Sequence, residues 1–557
     1  MAIYCGIDLG TTNSTVSVIH DDGLSFEEPI DLLRTISVYQ LDNNNRILKD
    51  KISLPSSIYF NLDESNVYTG VKAKTEYGKG NKPMQTIRSV KTRIGGESLV
   101  EIPYEKDKEK SELFNMIQCS ALFLKTIKES VEMQFEGEEV VGAVVTVPAA
   151  FNIDERQATR NAMLLAGFKE IYILDEPTAA LLYYVNDSLN KADGLEISED
   201  NEEYRLVYDI GGGTTDVSIA KIKLDKYDNL DLKIVGRSPR MDLGGDDFDQ
   251  YLAAYLLSRF EIGENDLHNM SVEDQNRMIA RIVSNAEKEK IKINEGIKSC
   301  LGNERRLNRF KQFVSFEVIN GKYLVDVELN KEIIENIFYD LVSTSEAKIL
   351  EPIKRSLEDA NLTKDSIKEV ILTGGMSNFY IIEETLKKYF NEQTEFILID
   401  TESSVSKGAV IHHYQQENEV GVKLKLEDKL SDDIFIKQGN KFSVIIPRTT
   451  KPGDKGNFNY EIQDDNLCKI DIFLYYGTGD NPEKYTPISG KFAELKNPKS
   501  KGEILNIDWE LDEDKIIKIF IEELGEKIEI NSSNDYNKSE IYNNRIQGLK
   551  INGGEIK

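Results

Sequence analysis

The chain of 557 residues is 40% hydrophobic and 30% charged, which excludes disorder over its whole length and predicts more than one core. Its 69 Lys and Arg stand against 97 Asp and Glu, and the net charge of -28 opposes non-specific attraction to nucleic acid or anionic lipid. Four scattered cysteines (Cys5, Cys119, Cys300 and Cys468) form no CxxC pair, so reduced thiols are expected rather than a metal site or disulfide framework.

The N-terminus, Met1-Ala2-Ile3-Tyr4-Cys5-Gly6-Ile7-Asp8, shows no basic region followed by an apolar stretch. No apolar segment approaches the roughly 18 residues of a membrane span. A cytoplasmic protein with neither membrane nor nucleic-acid partners is expected. Ile3 to Ile7 reads as a strand that enters Asp8-Leu9-Gly10-Thr11-Thr12-Asn13-Ser14, and Thr15 to Ile19 reads as the returning strand. Val141 to Val147 is a buried-strand run stopped by Pro148. Asp154 then opens a helix with Ala158, Ala162 and Leu165 on one face, and Gly167 ends it. Ile171 to Leu174 is a short strand leading into Asp175-Glu176-Pro177-Thr178-Ala179-Ala180.

The first hairpin recurs as Tyr208-Asp209-Ile210-Gly211-Gly212-Gly213-Thr214-Thr215-Asp216, between strand-like runs Leu206 to Tyr208 and Val217 to Ile222. Val370 to Leu372 is a further strand, followed by Thr373-Gly374-Gly375 and a helix bearing Ile382, Leu386 and Phe390. One glycine-rich hairpin reads most simply as a tight turn. Two with matching Asp and Thr-Thr placements point to phosphate: glycine lets backbone N–H groups approach an anion, threonine hydroxyls add donors, and Asp can hold a hydrated cation. No Gly-x-x-x-x-Gly-Lys-Ser/Thr occurs, so the P-loop class is not supported. Strands alternating with helices predict an α/β sheet with ligands at the carboxyl ends of strands, where Asp8, Glu176, Asp209, Gly374 and Gly375 fall. A single cleft between two similar halves is the economical arrangement.

From about Asp432 to Ile530 the pattern changes to short alternating strands, as in Lys469 to Leu474 and Ile516 to Ile521, which predicts an antiparallel β-sandwich.

The chain resembles the 70-kDa heat-shock family, the DnaK-type chaperones. The resemblance rests on Gly6 to Thr12, Val147-Pro148-Ala149-Ala150-Phe151-Asn152, Glu155-Arg156-Gln157-Ala158-Thr159, Asp175 to Ala180, Asp209 to Asp216 and Gly244-Gly245-Asp246-Asp247-Phe248-Asp249. In the C-terminal part it rests on Val444 to Pro452, Ile470 to Gly477 and Ser489-Gly490-Lys491-Phe492. It implies an actin-like, duplicated ribonuclease H-like ATPase domain over 1–414, a linker over 415–431, and a substrate-binding-like β-sandwich over 432–530. A polar tail over 531–557, with no helical lid, is expected to follow; substrate would then exchange quickly.

By the same resemblance ATP or ADP is bound with Mg²⁺, K⁺ being a further candidate. Asp8 and Asp209 orient the waters of Mg²⁺, while Glu176 and Asp216 complete an acidic shell. Gly10, Thr11, Thr12, Asn13, Gly211, Gly212, Gly213 and Thr214 cradle phosphates. Lys91 matches the catalytic lysine that positions the attacking water; taken alone it reads as a surface lysine. Gly244, Gly245 and Asp246 complete the nucleotide site. Glu287, Lys290 and Asn294 fall where ribose and base contacts are made, the plain alternative being a solvated helix face. Met376 and Asn378 stand in a segment where the family commonly has Ser-Thr-Arg, and Asn offers no guanidinium plane to cover adenine. Pro148 and Arg156 match the interdomain relay, although Pro148 also suits a plain strand terminator.

Ile434, Ile436, Ile470 and Ile472 match the cleft that takes an extended apolar peptide, with ordinary sandwich core as the competing assignment. The linker Glu419-Val420-Gly421-Val422-Lys423-Leu424-Lys425-Leu426-Glu427-Asp428 alternates apolar with charged residues, and it could still add a strand to the ATPase part. The expected activity is an ATP-driven chaperone that binds extended client polypeptides, with J-domain and nucleotide-exchange co-chaperones as candidate partners. The alternative is a regulatory ATPase scaffold with one dedicated partner. A small-molecule kinase would need a general base that no segment supplies.

Overall fold

A computed structural model describes residues 2–554 except 22–30, 97–98, 108, 141, 190–202, 225–229, 262–268, 344–346, 419–424, 428, 431, 440, 478, 480, 489–490, 524–525, 530, 533–545 and 547. The chain is mixed α/β. Two sheets of matching order organise its first three quarters. In the first, Ala2–Asp8 pairs antiparallel with Asn13–Asp21 and parallel with Gly142–Val147, which pairs in turn with Glu170–Asp175. In the second, Glu203–Ile210 pairs antiparallel with Thr215–Leu224 and parallel with Ile367–Thr373, which pairs with Glu395–Leu398. The registers agree too: Asp8 faces Thr15 in one hairpin and Asp209 faces Asp216 in the other. We call the halves lobe I and lobe II.

The strands predicted for the two sheets all occur, each extended by a residue or more except Gly142–Val147, since position 141 lies outside the described residues; the predicted Ile516–Ile521 strand runs over Ile517–Glu523. The helix placed after Pro148 runs over Ile153–Ala166, and its N-cap is Asn152 rather than Asp154. The Asn152 carboxamide accepts from the Glu155 N–H while the Glu155 carboxylate accepts from the Asn152 N–H, a capping box that satisfies two orphan donors. Gly167 ends the helix at φ 96°, where glycine carries no Cβ penalty.

Between residues 433 and 532 the described strands are antiparallel, in three sheets. The run Lys469 to Leu474, read as one strand, breaks at Phe473. Leu467–Ile472 and Leu474–Gly477 belong to different sheets. Within the linker, Lys425–Glu427 adds a parallel strand to lobe II beside Leu230–Arg237; 419–424 and 428 lie outside the described residues, as do Ser489 and Gly490.

The expected polar tail is partly built into the fold, while 533–545 and 555–557 lie outside the described residues. Lys550–Ile551 pairs parallel with Asn66–Thr69 in lobe I. Asn552 is fully buried: its carboxamide oxygen accepts from the Thr69 N–H at 3.1 Å, and its NH₂ donates to Thr69 Oγ1 at 3.3 Å. Among the described residues no helix is long and apolar enough to cross a membrane.

Candidate functional site

The two hairpin turns meet at a cavity of about 360 Å³. Asp8, Gly10, Thr11, Thr12 and Asn13 line it from lobe I, and Asp209, Gly211, Gly212 and Thr214 from lobe II. Lys91, Glu176, Gly245, Asp246, Glu287, Lys290, Gly374, Gly375, Met376 and Asn378 complete the set of expected residues that reach it. Gly213 and Gly244 do not line it; they let the turns interlock, since a Cβ on Gly244 would sit 2.6 Å from the Gly212 carbonyl carbon. Gly374 has φ 80°, and a Cβ there would overlap Asp209 Oδ1.

Asn294 also falls outside the lining. Its NH₂ donates to the Asn378 carbonyl at 3.0 Å and its oxygen accepts from the Tyr380 N–H at 3.0 Å, so it holds the loop behind the base end of the cavity. Asp216 is buried behind the second turn and does not line the cavity.

Lys91 is buried and its ammonium donates to Glu176 Oε1. Burial pulls its pKa down, but the carboxylates of Glu176, Asp8 and Asp216 outweigh this and hold it above the usual lysine range. Asp8 is pushed up to about 7, first by burial and then by Glu176, with Lys91 opposing. Asp216 is pushed up to about 7 for the same two leading reasons, and Asp209 is also raised. An acidic cavity with one central lysine suits a hydrated divalent cation carrying an anion.

Two further observations fit nucleotide and Mg²⁺. Thr12 Oγ1 is buried in the first turn with no hydrogen-bond partner, an orphan donor facing the phosphate position. Asp8 and Asp209 both reach the cavity, and Mg²⁺, which keeps several waters and takes few protein ligands, suits a pair of carboxyl groups placed this way. At the other end, Glu287 pairs with Lys74 at 2.5 Å, and Lys290 pairs with Asp249 at 2.8 Å.

Sequence reasoning missed Thr15, Asp249, Ile291, Thr401, Glu402, Ser404 and Val405, all lining the cavity. Residues 401–405 follow the strand Glu395–Leu398, so the rule of carboxyl strand ends would have found them had that strand been recognised. Asp249 lies one helical turn after Gly245, inside Gly245–Ser258.

Arg156 reaches Asp175 Oδ1, and its Nε donates to the Phe151 carbonyl at 3.2 Å. The Pro148 carbonyl accepts from the Phe151 N–H at 3.0 Å, so Pro148 ends its strand in a turn that braces Arg156. Ile434, Ile436, Ile470 and Ile472 are 0–3% exposed and sit in the packed interior, not on an open cleft. Strand alternation explains this for Ile470 and Ile472, whose strand neighbours Lys469 and Asp471 are exposed, whereas in Asp433–Gln438 three successive residues, Ile434, Phe435 and Ile436, are buried.

Sister sheets, paired glycine–threonine turns and a buried lysine–carboxylate contact make a cleft whose chemistry suits phosphate. The model of the Hsp70 protein family matches residues 4–549, and the chain belongs to that family of ATP-dependent chaperones. It is 27% identical over 527 residues to the chaperone protein DnaK of Thermotoga neapolitana, covering 93% of this chain and 78% of that protein. With the chaperone protein DnaK of Thermosipho melanesiensis the identity is 28% over 530 residues, with the same coverage of each.

Proposed function

We propose that the chain hydrolyses ATP with Mg²⁺ at this cavity and uses the cycle to bind and release extended client segments on its C-terminal sheets. The observation that carries the reading is Lys91 on Glu176 between two phosphate-suited turns, one with an unpartnered buried hydroxyl. Asp8 and Asp209 would hold Mg²⁺ through water, and the cation would supply charge for the phosphates. Thr11, Thr12, Gly211 to Gly213 and Thr214 orient the phosphates, Asp216 supports the second turn, and Lys91 stabilises developing negative charge and positions water. Glu287, Lys290, Met376 and Asn378 hold the nucleoside. The two lobes and the region beyond residue 432 correspond to an actin-like ATPase and a peptide-binding sandwich, with Pro148 and Arg156 relaying between them and co-chaperones as candidate partners. ATPase turnover with a panel of unrelated apolar heptapeptides tests this: stimulation by several supports a general chaperone, and silence from all of them favours one dedicated partner.

Asn378 donates to Thr401 Oγ1 and presents no cation to the base. Asn378→Arg is expected to tighten ATP binding about 3- to 10-fold through cation–π stacking. Titration of fluorescent ATP measures it, and unchanged affinity places the base elsewhere.

The raised carboxyls also predict how nucleotide-free stability responds to pH. Burial and the Glu176 carboxylate push Asp8 and Asp216 up to about 7 in the folded chain, from an ordinary aspartate value of 3.8. Between those values the folded state holds more protons than the unfolded one, so their contribution falls as pH rises from about 4 to 7. Asp8→Asn is therefore expected to raise the nucleotide-free Tm at pH 7.5 by about 2 °C while depressing turnover. A lower Tm would show that the carboxylate is stabilising there.

A further inference from the structure

Outside the cavity, lobe II carries charge and apolar surface that neither nucleotide binding nor the core explains. After the helix Val272–Lys298 the chain forms the short helix Glu304–Leu307, capped by Asn303, whose carboxamide oxygen accepts from the Arg306 N–H at 3.1 Å. Leu307 and Phe310 pack inward against the lobe II core. Arg305, Arg306 and Arg309 are thereby held on the outside of an ordered turn, and all three are exposed. Among the described residues none of the three makes an ion pair, whereas Arg237, Arg240, Arg277 and Arg281 each hold a carboxylate. In a chain with 97 acidic residues against 69 basic ones, these arginines form a local reserve of unneutralised positive charge.

The turn leads into a hairpin, Gln312–Ile319 and Lys322–Leu329, a sheet of two strands among the described residues. Alternation sends Val314, Val318, Leu324 and Leu329 into the lobe II core and leaves Phe313 (59% exposed), Tyr323 (59%) and Val325 (63%) on the outer face. Single exposed apolar residues are ordinary, but three large ones on one face of one hairpin make a patch of the kind that marks an interaction site. Register shifts between Val314 and Phe316 and between Glu317 and Ile319 bulge the ribbon, which blunts strand addition at its edges and leaves docking to the outer face. Lys311 pairs with Glu328 at 2.8 Å, and Glu328 stands opposite Phe313, so the arginine turn adjoins the apolar row.

We propose that this surface docks an acidic polypeptide segment, its apolar side chains settling on Phe313, Tyr323 and Val325 and its carboxylates on Arg305, Arg306 and Arg309. Guanidinium forks take carboxylates in paired hydrogen bonds, and aromatic residues beside arginine are the usual anchors of protein interfaces. A nucleic acid or an anionic membrane fits less well. Asp326 and Glu328 share the hairpin with the apolar row, so a continuous run of phosphates would face them as well as the net charge of -28. A polypeptide instead places its carboxylates by sequence and keeps them over the arginines. Val325 packs against side chains but offers no ring on which a base would stack.

Fluorescence anisotropy of a labelled peptide that alternates Glu with Leu, titrated with the full chain, tests this. An unlabelled apolar heptapeptide is kept in excess so that the C-terminal sheets do not contribute. Binding is expected, and it should weaken as salt rises. Arg305→Glu, Arg306→Glu and Arg309→Glu combined are expected to weaken it about tenfold, and Phe313→Ser about fivefold. All four positions are exposed and lie outside the cavity, so ATP turnover and Tm are expected to match the parent, which separates docking from folding. Unchanged affinity in the triple variant overturns the proposal, as does absence of binding by the parent. Poly-uridine RNA or phosphatidylserine vesicles that bind the parent more tightly than the peptide, and lose that binding in the triple variant, overturn it too, because the surface then serves a polyanion.

Discussion

Lys91→Ala is expected to lower kcat for ATP by about 10²- to 10³-fold, the usual loss when a preorganised charge facing a developing oxyanion is removed. Lys91 lies in the turn Val90–Arg93, directly after the strand Thr86–Arg88, and is locked by burial and by Glu176. Its ammonium stays charged because three carboxylates outweigh desolvation. Truncation removes this cation and leaves the carboxyl groups of Glu176, Asp8 and Asp209 without their central ammonium. Nucleotide affinity should change far less than turnover, because the glycine–threonine turns and the nucleoside residues are untouched. Single-turnover hydrolysis beside equilibrium ADP binding reads both quantities. A variant that hydrolyses ATP at the parent rate removes Lys91 from the chemistry.

Gly408→Ala is expected to destabilise the protein by about 3 kcal/mol or to prevent folding, the upper end of overpacking costs. Gly408 sits within the helix Ser404–Asn418, which packs on Glu176–Leu189 so closely that a Cβ would overlap the Ala179 carbonyl oxygen and lie 2.5 Å from its carbonyl carbon. The obstacle is backbone, so no rotamer change relieves it. Moving either helix also shifts Glu176, so the nucleotide-dependent rise in Tm should shrink together with Tm itself. Thermal unfolding with and without Mg²⁺-ADP measures both, and a parent-like Tm contradicts the close helix contact.

The hairpins were legible because phosphate-suited turns need Gly and Thr at fixed offsets, and that local requirement appeared twice. The parallel partner strands Gly142–Val147, Glu170–Asp175 and Ile367–Thr373 were legible as short apolar runs, whereas Glu395–Leu398 was not. Which face an isoleucine shows was not: the alternation around Ile470 and Ile472 gives two faces without saying which is interior, and only the opposed sheets settle it. Asp175 was visible only as the residue before Glu176. Its partners Arg156, Arg237 and Lys515 come from three distant segments, and no periodicity marks such a convergence. The left-handed conformation of Lys515 (φ 61°) was equally hidden, since the residue type argues against it. Asn294 matched a binding position by the family resemblance, yet its side chain turns to the loop backbone.

The strand Lys550–Ile551 has a consequence for biogenesis. Its acceptor, Asn66–Thr69, emerges from the ribosome hundreds of residues before the donor. During synthesis the acceptor edge and the Thr69 amide stay open while hundreds of residues are added, a period in which an unpaired edge invites association with neighbouring chains. Sealing that edge with a strand so distant in sequence makes synthesis through residue 551 a condition for a finished lobe I. Nascent chains of this protein should therefore be more adhesive than the released product.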